Sequence, residues 1–297
     1  MLSREVVAWL VRQSSGTYLD CTLGQGGHAE LLLEQSSPDG VLIGIDRDRD
    51  AIAAAGEKLA RFAPRTRLIQ GNFSALKQSL DSVGVSEVDG VIFDLGVSSA
   101  QLDRPERGMS FLSDGPLDMR MDRCSGRTAA DVIAQLPEHE LADLIYQYGE
   151  ERYSRRIARA IVATRKSHPL RTTFELVSTI SGAVPAVYRR GRIHCATRTF
   201  QALRIAVNQE LDVIEGAIRD AVDVLAPGGR LCIISFHSLE DRIAKRTFRS
   251  LAQGPGASLK ILTKKPYGPS DEECRDNPRA RSAKLRVAEK LPDRRPT

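Results

Sequence analysis

What the chain has little of narrows what it can be. Its five cysteines, Cys21, Cys124, Cys195, Cys232 and Cys274, are odd in number and far apart. They form no C-x-x-C pair and no Cys/His cluster, so a disulfide framework and a zinc site are excluded and no metal is expected. One tryptophan and 5% aromatic residues are too few for a surface that stacks successive nucleic-acid bases. No apolar run approaches a membrane span, and the opening MLSREVVAWLVRQ alternates charge with hydrophobe where a leader would be uninterrupted. A cytoplasmic, reducing location is expected. The charge excess is small as well: 43 basic against 38 acidic residues is only a weak pointer to a polyanionic partner. Internal repeats are absent, and low complexity is confined to glycine and proline turns.

What is there is a rhythm. From Thr17 to Gly96 a short apolar run is followed by a helical pattern, then again, as in a parallel sheet with crossover helices. The runs are TYLDCTL (17–23), VLIGIDRD (41–48), RLIQGNF (67–73) and VDGVIFDLG (88–96). A fifth, GRLCIISF (229–236), comes only after an APGG turn that ends a long helix. Val207, Leu211, Ile214, Ile218, Val222 and Leu225 mark one face of that helix. Between 103 and 203 no strand-like alternation occurs. A helix starting at Pro137 aligns Leu141, Leu144, Ile145 and Tyr148, and another opens on a TTFE capping box of Thr172 and Glu175 and ends near Gly182. The expected domains are therefore 1–102 with 204–297, and a helical insertion at 103–203. A helix after Phe236, a strand near 258–263 and a last strand around 283–289 complete the reading.

The stretch DCTLGQGGHAE, residues 20–30, is a glycine-rich turn between the first strand and a helix. Such turns hold dinucleotides, S-adenosylmethionine or phosphates, and can also be turns and nothing more. Asp20 lies just before Gly24, Gly26 and Gly27, where a carboxylate would repel a pyrophosphate but suits the cationic methionine end of S-adenosylmethionine. Asp46 ends the second strand, about twenty residues on, where a carboxylate accepts hydrogen bonds from ribose hydroxyls or caps a helix. Asn72 and Phe73 end the third and could flank an adenine.

Longer motifs say more. FDLGVSSAQLD, GPLDMRMD, ATRTFQALRIAVNQEL, ISFHSLEDR and NPRARSAKLR together resemble the RsmH (MraW) family of bacterial 16S ribosomal RNA cytosine-N4 methyltransferases. The resemblance covers nearly the whole chain. It implies an α/β class I (Rossmann-like) methyltransferase fold with a helical insertion after the fourth strand, S-adenosylmethionine as cofactor, and 16S rRNA within the small ribosomal subunit as partner; a homodimer stays open. It places cofactor contacts on Gly26, Gly27, His28, Asp46, Phe73, Asp94 and Gln101, to which the turn itself adds Asp20 and Gly24. Gln25 and Cys195 depart from the glycine and proline usual in relatives. The His-x-Pro-Val start of relatives is missing, which leaves a truncated N-terminus open.

An exocyclic amine is a poor nucleophile because its lone pair is delocalised, so the site must orient it with acceptors. Asp94 and Ser98 are the expected catalytic acceptors, with Ser99 a further hydroxyl. His237 joins them, either as a base contact or as a helix-start histidine. The segment 107–122, with Met109, Met119 and Met121, reads as an adaptable lid or an exposed loop. Arg155, Arg156 and Arg159, with Arg198, Lys264, Lys265, Arg279 and Arg281, are the expected RNA contacts, alongside Lys284 and Arg286 in the same tail; a solvated helix face explains the first cluster as well. The competing functions are a nicotinamide oxidoreductase and an RNA-binding module without catalysis.

Overall fold

The computed structural model describes residues 1–292; residues 293–297, which close the expected second part of the methyltransferase domain, lie outside the described residues. The chain divides into two compact units.

The first unit comprises Met1–Gly96 and the chain from Leu211 onward. Its seven strands are β1 (Thr17–Asp20), β2 (Val41–Asp46), β3 (Thr66–Gln70), β4 (Val88–Asp94), β5 (Leu225–Ser235), β6 (Leu259–Ile261) and β7 (Lys284–Lys290). They form one sheet in the order β3-β2-β1-β4-β5-β7-β6. The first five are parallel, and β7 runs antiparallel to both β5 and β6. This is the class I methyltransferase sheet. Helices α1 (Ser3–Leu10), α2 (Gly27–Gln35), α3 (Arg49–Lys58) and α4 (Leu76–Ser82) belong to this unit.

Because side chains alternate across a strand, each central strand serves two cores. Leu19, Ile43, Val91, Phe93 and Ile233 enter one, while Tyr18, Leu42, Ile92, Cys232 and Ile234 enter the other with Val6 and Leu10 of α1 and Leu32 and Leu33 of α2. Both faces are covered, which is why these strands read as nearly continuous apolar runs. The fifth strand starts four residues earlier than its apolar run suggests: APGG lies within β5, and its pairing with β4 shifts register between Val88 and Gly90.

The second unit is Val97–Glu210. It holds α5 (Ser99–Asp103), α6 (Ala129–Gln135), α7 (Glu138–Gly149), α8 (Ser154–Ser167), α9 (Thr173–Ala183), α10 (Ala186–Arg189) and α11 (Thr197–Asn208). The unit thus begins six residues before, and ends seven after, the 103–203 segment read from the sequence. Thr172 and Glu175 form the expected capping box of α9. Apolar faces of α6 to α9 and α11, among them Ile133, Leu141, Ile145, Ile157, Leu176 and Phe200, share one core.

Two expectations fail here, for identifiable reasons. The single long helix through residue 225 is two helices. Helix α11 stops where Gln209 takes a left-handed conformation (φ 52°), and Glu210 folds back so that its carboxylate receives both arms of Arg204 at 2.8 Å. Helix α12 (Ile214–Val224) then starts afresh. The apolar stripe is divided accordingly: Val207 packs on the helical core, Leu211, Ile218 and Val222 on the sheet core.

The segment 107–122 is not exposed throughout: residues 112–114 are exposed, but both flanks are buried. Met109, Leu117, Met119 and Met121 are buried, as is Arg107 at 2% exposure. The Arg107 guanidinium donates to the carbonyls of Arg120 and Met121 (3.2 and 2.7 Å). Asn208 accepts from the Met121 N–H at 2.7 Å and donates to the Met119 carbonyl at 2.8 Å. Backbone groups of the flanks that would want water are satisfied internally, so the two flanks belong to the core while the residues between them do not.

Helices α13 (Ser238–Leu251) and α14 (Asp271–Asp276) complete the first unit.

Candidate cofactor and catalytic site

In the first unit, the carboxyl ends of the parallel strands bring together most of the expected residues. The turn after β1 is shaped by two left-handed glycines, Gly24 (φ 52°) and Gly26 (φ 77°). A Cβ on Gly26 would also press on Ala55 and Leu59 at 3.4 Å, whereas one on Gly27 would point into open space. Gly27 is the first residue of α2, so this bare backbone lies at a helix N-terminus where a ligand can approach closely.

Asp46 holds the turn from β2. Its Oδ2 accepts from the Gly24 N–H and its Oδ1 from the Asp48 N–H, both at 2.8 Å. Burial raises its pKa, and those two backbone donors oppose the rise. Each carboxylate oxygen retains a second lone pair, so a ribose hydroxyl can still be received. The cap of α3 is Asp48, not Asp46.

Asp20, His28 and Asp94 form the unusual part. Asp20 is 1% exposed. Its Oδ1 accepts from the Thr22 N–H at 3.0 Å, and its Oδ2 has no partner. Desolvation pushes its pKa up to about 7; the nearby His28 pulls it down, and Asp94 and Asp46 push it further up. His28, in the first turn of α2, has no hydrogen bond at either ring nitrogen, although its Nε2 lies 3.4 Å from Asp94 Oδ2. That spacing brings the ring beside the carboxylate without hydrogen-bond geometry. Asp94 Oδ1 is also buried and unpartnered. The Asp94 N–H donates to Thr22 Oγ1 at 2.6 Å, so Thr22, which the sequence reading passed over, ties the end of β4 to the end of β1. Buried polar atoms are nearly always paired, and a group of unpaired acceptors at this edge is what a cationic, donor-rich ligand would complete.

Phe73 follows β3 and meets Phe93 edge-on at 5.5 Å. Asn72 uses its amide oxygen to cap that turn at the Ser74 N–H.

His237 follows β5 and serves as the N-cap of α13. Its Nδ1 accepts from the Glu240 N–H at 3.5 Å, while Glu240 Oε2 takes the N–H groups of Phe236 and His237 at 2.8 and 3.3 Å. The helix-start alternative is therefore realised, with Nε2 left without a hydrogen bond, 3.2 Å from Glu240 Oε1. The i, i+3 spacing of His237 and Glu240 was the available signal for this capping box.

Ser98 and Gln101 lie in the second unit, where they hold each other. Ser98 Oγ accepts from the Gln101 N–H at 3.2 Å, and Gln101 Oε1 accepts from the Ser98 N–H at 3.0 Å, a capping box at the start of α5.

The expected RNA contacts differ in exposure and in how far the fold engages them. Arg155 and Arg156 are exposed on α8; Arg159 is exposed and faces Glu138 at 3.4 Å. Arg198 donates to the Glu150 carbonyl at 3.0 Å, closing the end of α7. In the first unit Lys264, Lys265 and Arg281 are exposed and Arg279 is half-buried. Arg286 is buried and paired with Asp241 at 2.7 Å, with Lys284 3.6 Å from the same carboxylate, so these two hold α13 to β7 and are withdrawn as RNA contacts. Among the described residues no group of three or more His, Cys, Asp or Glu side chains could hold a metal ion, and no helix is long and apolar enough to cross a membrane.

The sequence profile of the MraW methylase family matches residues 1–291. The chain belongs to the MraW methylase family. It is 52% identical to the ribosomal RNA small subunit methyltransferase H of Geobacter sulfurreducens, over 98% of each chain. It is 51% identical to the protein of the same name from Trichlorobacter lovleyi, over 98% of this chain and 97% of that one. Among solved structures, an rRNA methylase from Streptococcus thermophilus covers 98% of this chain and 94% of its own at 12% identity and a TM-score of 0.45. S-adenosylmethionine is the cofactor of the MraW methylases. The donor set fits it: unpaired buried acceptors for a cationic amino acid, a bare Gly27 backbone, and a carboxylate at the end of β2.

Proposed function

We propose that the chain transfers a methyl group from S-adenosylmethionine to the N4 amine of a cytidine in the 16S rRNA of the small ribosomal subunit, in the cytoplasm. Family membership and the relatives' common name support a small-subunit rRNA methyltransferase. The observation that carries the chemistry is the set of unpaired buried atoms on Asp20, His28 and Asp94 beside the glycine turn.

In this reading Asp20 receives the amino group of the cofactor, Gly24, Gly26, Gly27 and His28 shape its bed, Asp46 receives the ribose, and Phe73 lies against the adenine. When bound, the cofactor supplies an electrophilic methyl on a sulfonium. Asp94 has the role left for the chain itself. Its unpartnered Oδ1 is an acceptor for an amine proton, and holding that proton turns the amine's lone pair toward its target. In the second unit Ser98, set by Gln101 through their shared cap, remains a candidate acceptor; His237, whose Nδ1 already accepts from the Glu240 N–H, has its Nε2 left to donate toward the base. A nicotinamide enzyme is disfavoured by Asp20, which would face a pyrophosphate. A module without catalysis has no use for a methyl donor, whose amino-acid end the unpaired buried acceptors of Asp20 and Asp94 suit.

Mass mapping of 16S rRNA from a strain lacking the gene tests the reading. One cytidine should lose one methyl group, restored by the wild-type chain. An unchanged methylation map removes 16S rRNA as the substrate.

A further inference from the structure

Some surface arginines of this protein face a carboxylate. Arg61 meets Glu30 and Glu34, Arg159 meets Glu138, and Arg219 meets Glu215. One surface of the second unit gathers six that do not. Arg152, Arg155 and Arg156 at the start of α8, and Arg189, Arg190 and Arg192 around α10, are all exposed, and none has an ion pair with a carboxylate among the described residues. Glu150 is the exposed acid within these two segments.

The two segments, separated by some thirty residues of chain, are built into one surface. Tyr153 and Tyr188 pack edge to face with centroids 4.8 Å apart. The Arg152 guanidinium lies 4.9 Å from both ring centres, and that of Arg156 lies 6.0 Å from Tyr153. Beneath them, fully buried Glu151 accepts from the Tyr188 hydroxyl at 2.5 Å and from the Tyr153 N–H at 2.8 Å. The Tyr188 phenol is accordingly held protonated, its pKa pushed up to about 12 by burial and by Glu151. The buried acid anchors the tyrosines while the arginines stay unneutralised outside. The same loop also exposes Val187 (86%) and Ile193 (56%). A hydrated face does not need two apolar residues held out among cations. A polyanion with apolar sugar and base edges does.

We infer that the start of α8 and the loop of residues 185–193, joined through Tyr153 and Tyr188, form one arginine surface that grips the phosphate backbone of the rRNA substrate. The inference rests on the rRNA reading above and adds Arg152, Arg189, Arg190 and Arg192 to the residues that reach the RNA. Guanidinium groups held over tyrosine rings lose less freedom on reaching phosphate oxygens than free side chains do. Val187 and Ile193 would rest on ribose and base edges, a contact that reads shape more than sequence.

The test uses the full chain and two probes: a 16S rRNA transcript, and small ribosomal subunits purified from a strain lacking the gene. Charge reversal at Arg189, Arg190 and Arg192 together (each Arg→Glu) should weaken binding to both probes by about tenfold or more. The slope of log affinity against log salt should become shallower by about two, as expected when some three phosphate contacts go. The triple Arg→Lys variant should recover most of the salt slope, Arg219→Glu should change neither quantity, and calorimetric cofactor affinity should stay at the wild-type value in all of them. Wild-type affinity and slope in the charge-reversed variant overturn the inference. So does a loss seen with subunits but not with the transcript, which would assign the surface to a ribosomal protein. Methylation is scored separately: if the wild-type chain methylates neither probe but the charge-reversed variant still loses RNA binding, the functional reading fails and the arginine surface stands.

Discussion

The two units treat buried polarity in opposite ways. In the helical unit it is used to fix shape: Arg107, Asn208, Glu151 and the Arg204–Glu210 pair are buried or nearly so and all hydrogen-bonded within the unit. In the sheet unit the carboxyl edge keeps Asp20, His28 and Asp94 with atoms that nothing among the described residues satisfies. Thr199, whose buried hydroxyl lacks a partner, and the Arg107 Nε are the helical unit's exceptions. Satisfied polar groups specify a structure, and unsatisfied ones await something from outside. Stability and binding should therefore respond in opposite senses to changes in the two places.

The largest effect is expected from Arg107→Ala. It leaves the Arg120 and Met121 carbonyls unpaired in a buried space and opens a cavity, a loss of about 3 kcal/mol in unfolding free energy. Denaturant titration measures it, and a loss below about 1 kcal/mol would mean that the arginine is not what holds residues 107–122 in place. Asp46→Ala should come next. It removes ribose contacts, weakening cofactor binding by about 1.5 to 3 kcal/mol, and also frees the Gly24 N–H, so the melting temperature falls too. A calorimetric dissociation constant equal to wild type would end the ribose assignment.

Asp94→Asn keeps the size but replaces an acceptor with a donor. At saturating cofactor and RNA the single-turnover rate should fall at least roughly tenfold, about 1.4 kcal/mol of transition-state stabilisation. If only cofactor affinity changes, Asp94 binds without orienting the amine. The mildest expected effect concerns pH. Because the folded pKa of Asp20 is raised to about 7 from an ordinary carboxylate value, its contribution to stability is complete only in acid and is lost as pH rises through 7. Binding of a cation runs the other way, because it needs the carboxylate. At pH 6 about a tenth of Asp20 is ionised, so cofactor affinity should rise about tenfold from pH 6 to pH 8 and level off. Asp20→Asn should bind weakly without that rise, yet melt higher than wild type at pH 8. A flat affinity profile in the wild type would remove Asp20 from the cofactor's amino group.

Which features could be read in advance follows the same division. The parallel strands were legible because burial on both faces writes them as apolar runs, and the turn after β1 because left-handed positions call for glycine. The break after Asn208 was not. Gln209 adopts a left-handed conformation without being glycine, and the apolar spacing continues through it because Val207 and Leu211 serve different cores. Residues 107–122 look like a loop because glycine and proline dominate local preference, while the force that buries the two flanks comes from Asn208 and from a single arginine side chain turned inward. Ser98, Gln101 and His237 were legible as residues of the right kind, but their capping partners lie three positions away and were read only for Thr172.

The position of the helical unit in the chain has a consequence for biosynthesis. Strands β4 and β5 are neighbours at the centre of the sheet, Ile92 beside Cys232, yet the whole of Val97–Glu210 is translated between them. A ribosome will have released the contiguous helical unit, free to fold by itself, while β1 to β4 still present an open edge along β4. β5 closes that edge, and then becomes an edge itself until β7, at residues 284–290, slips antiparallel between β5 and β6. The nascent protein therefore carries an unprotected strand through most of its synthesis, and a message that ends before Lys284 yields a chain whose β5 is left to pair with whatever strand it meets.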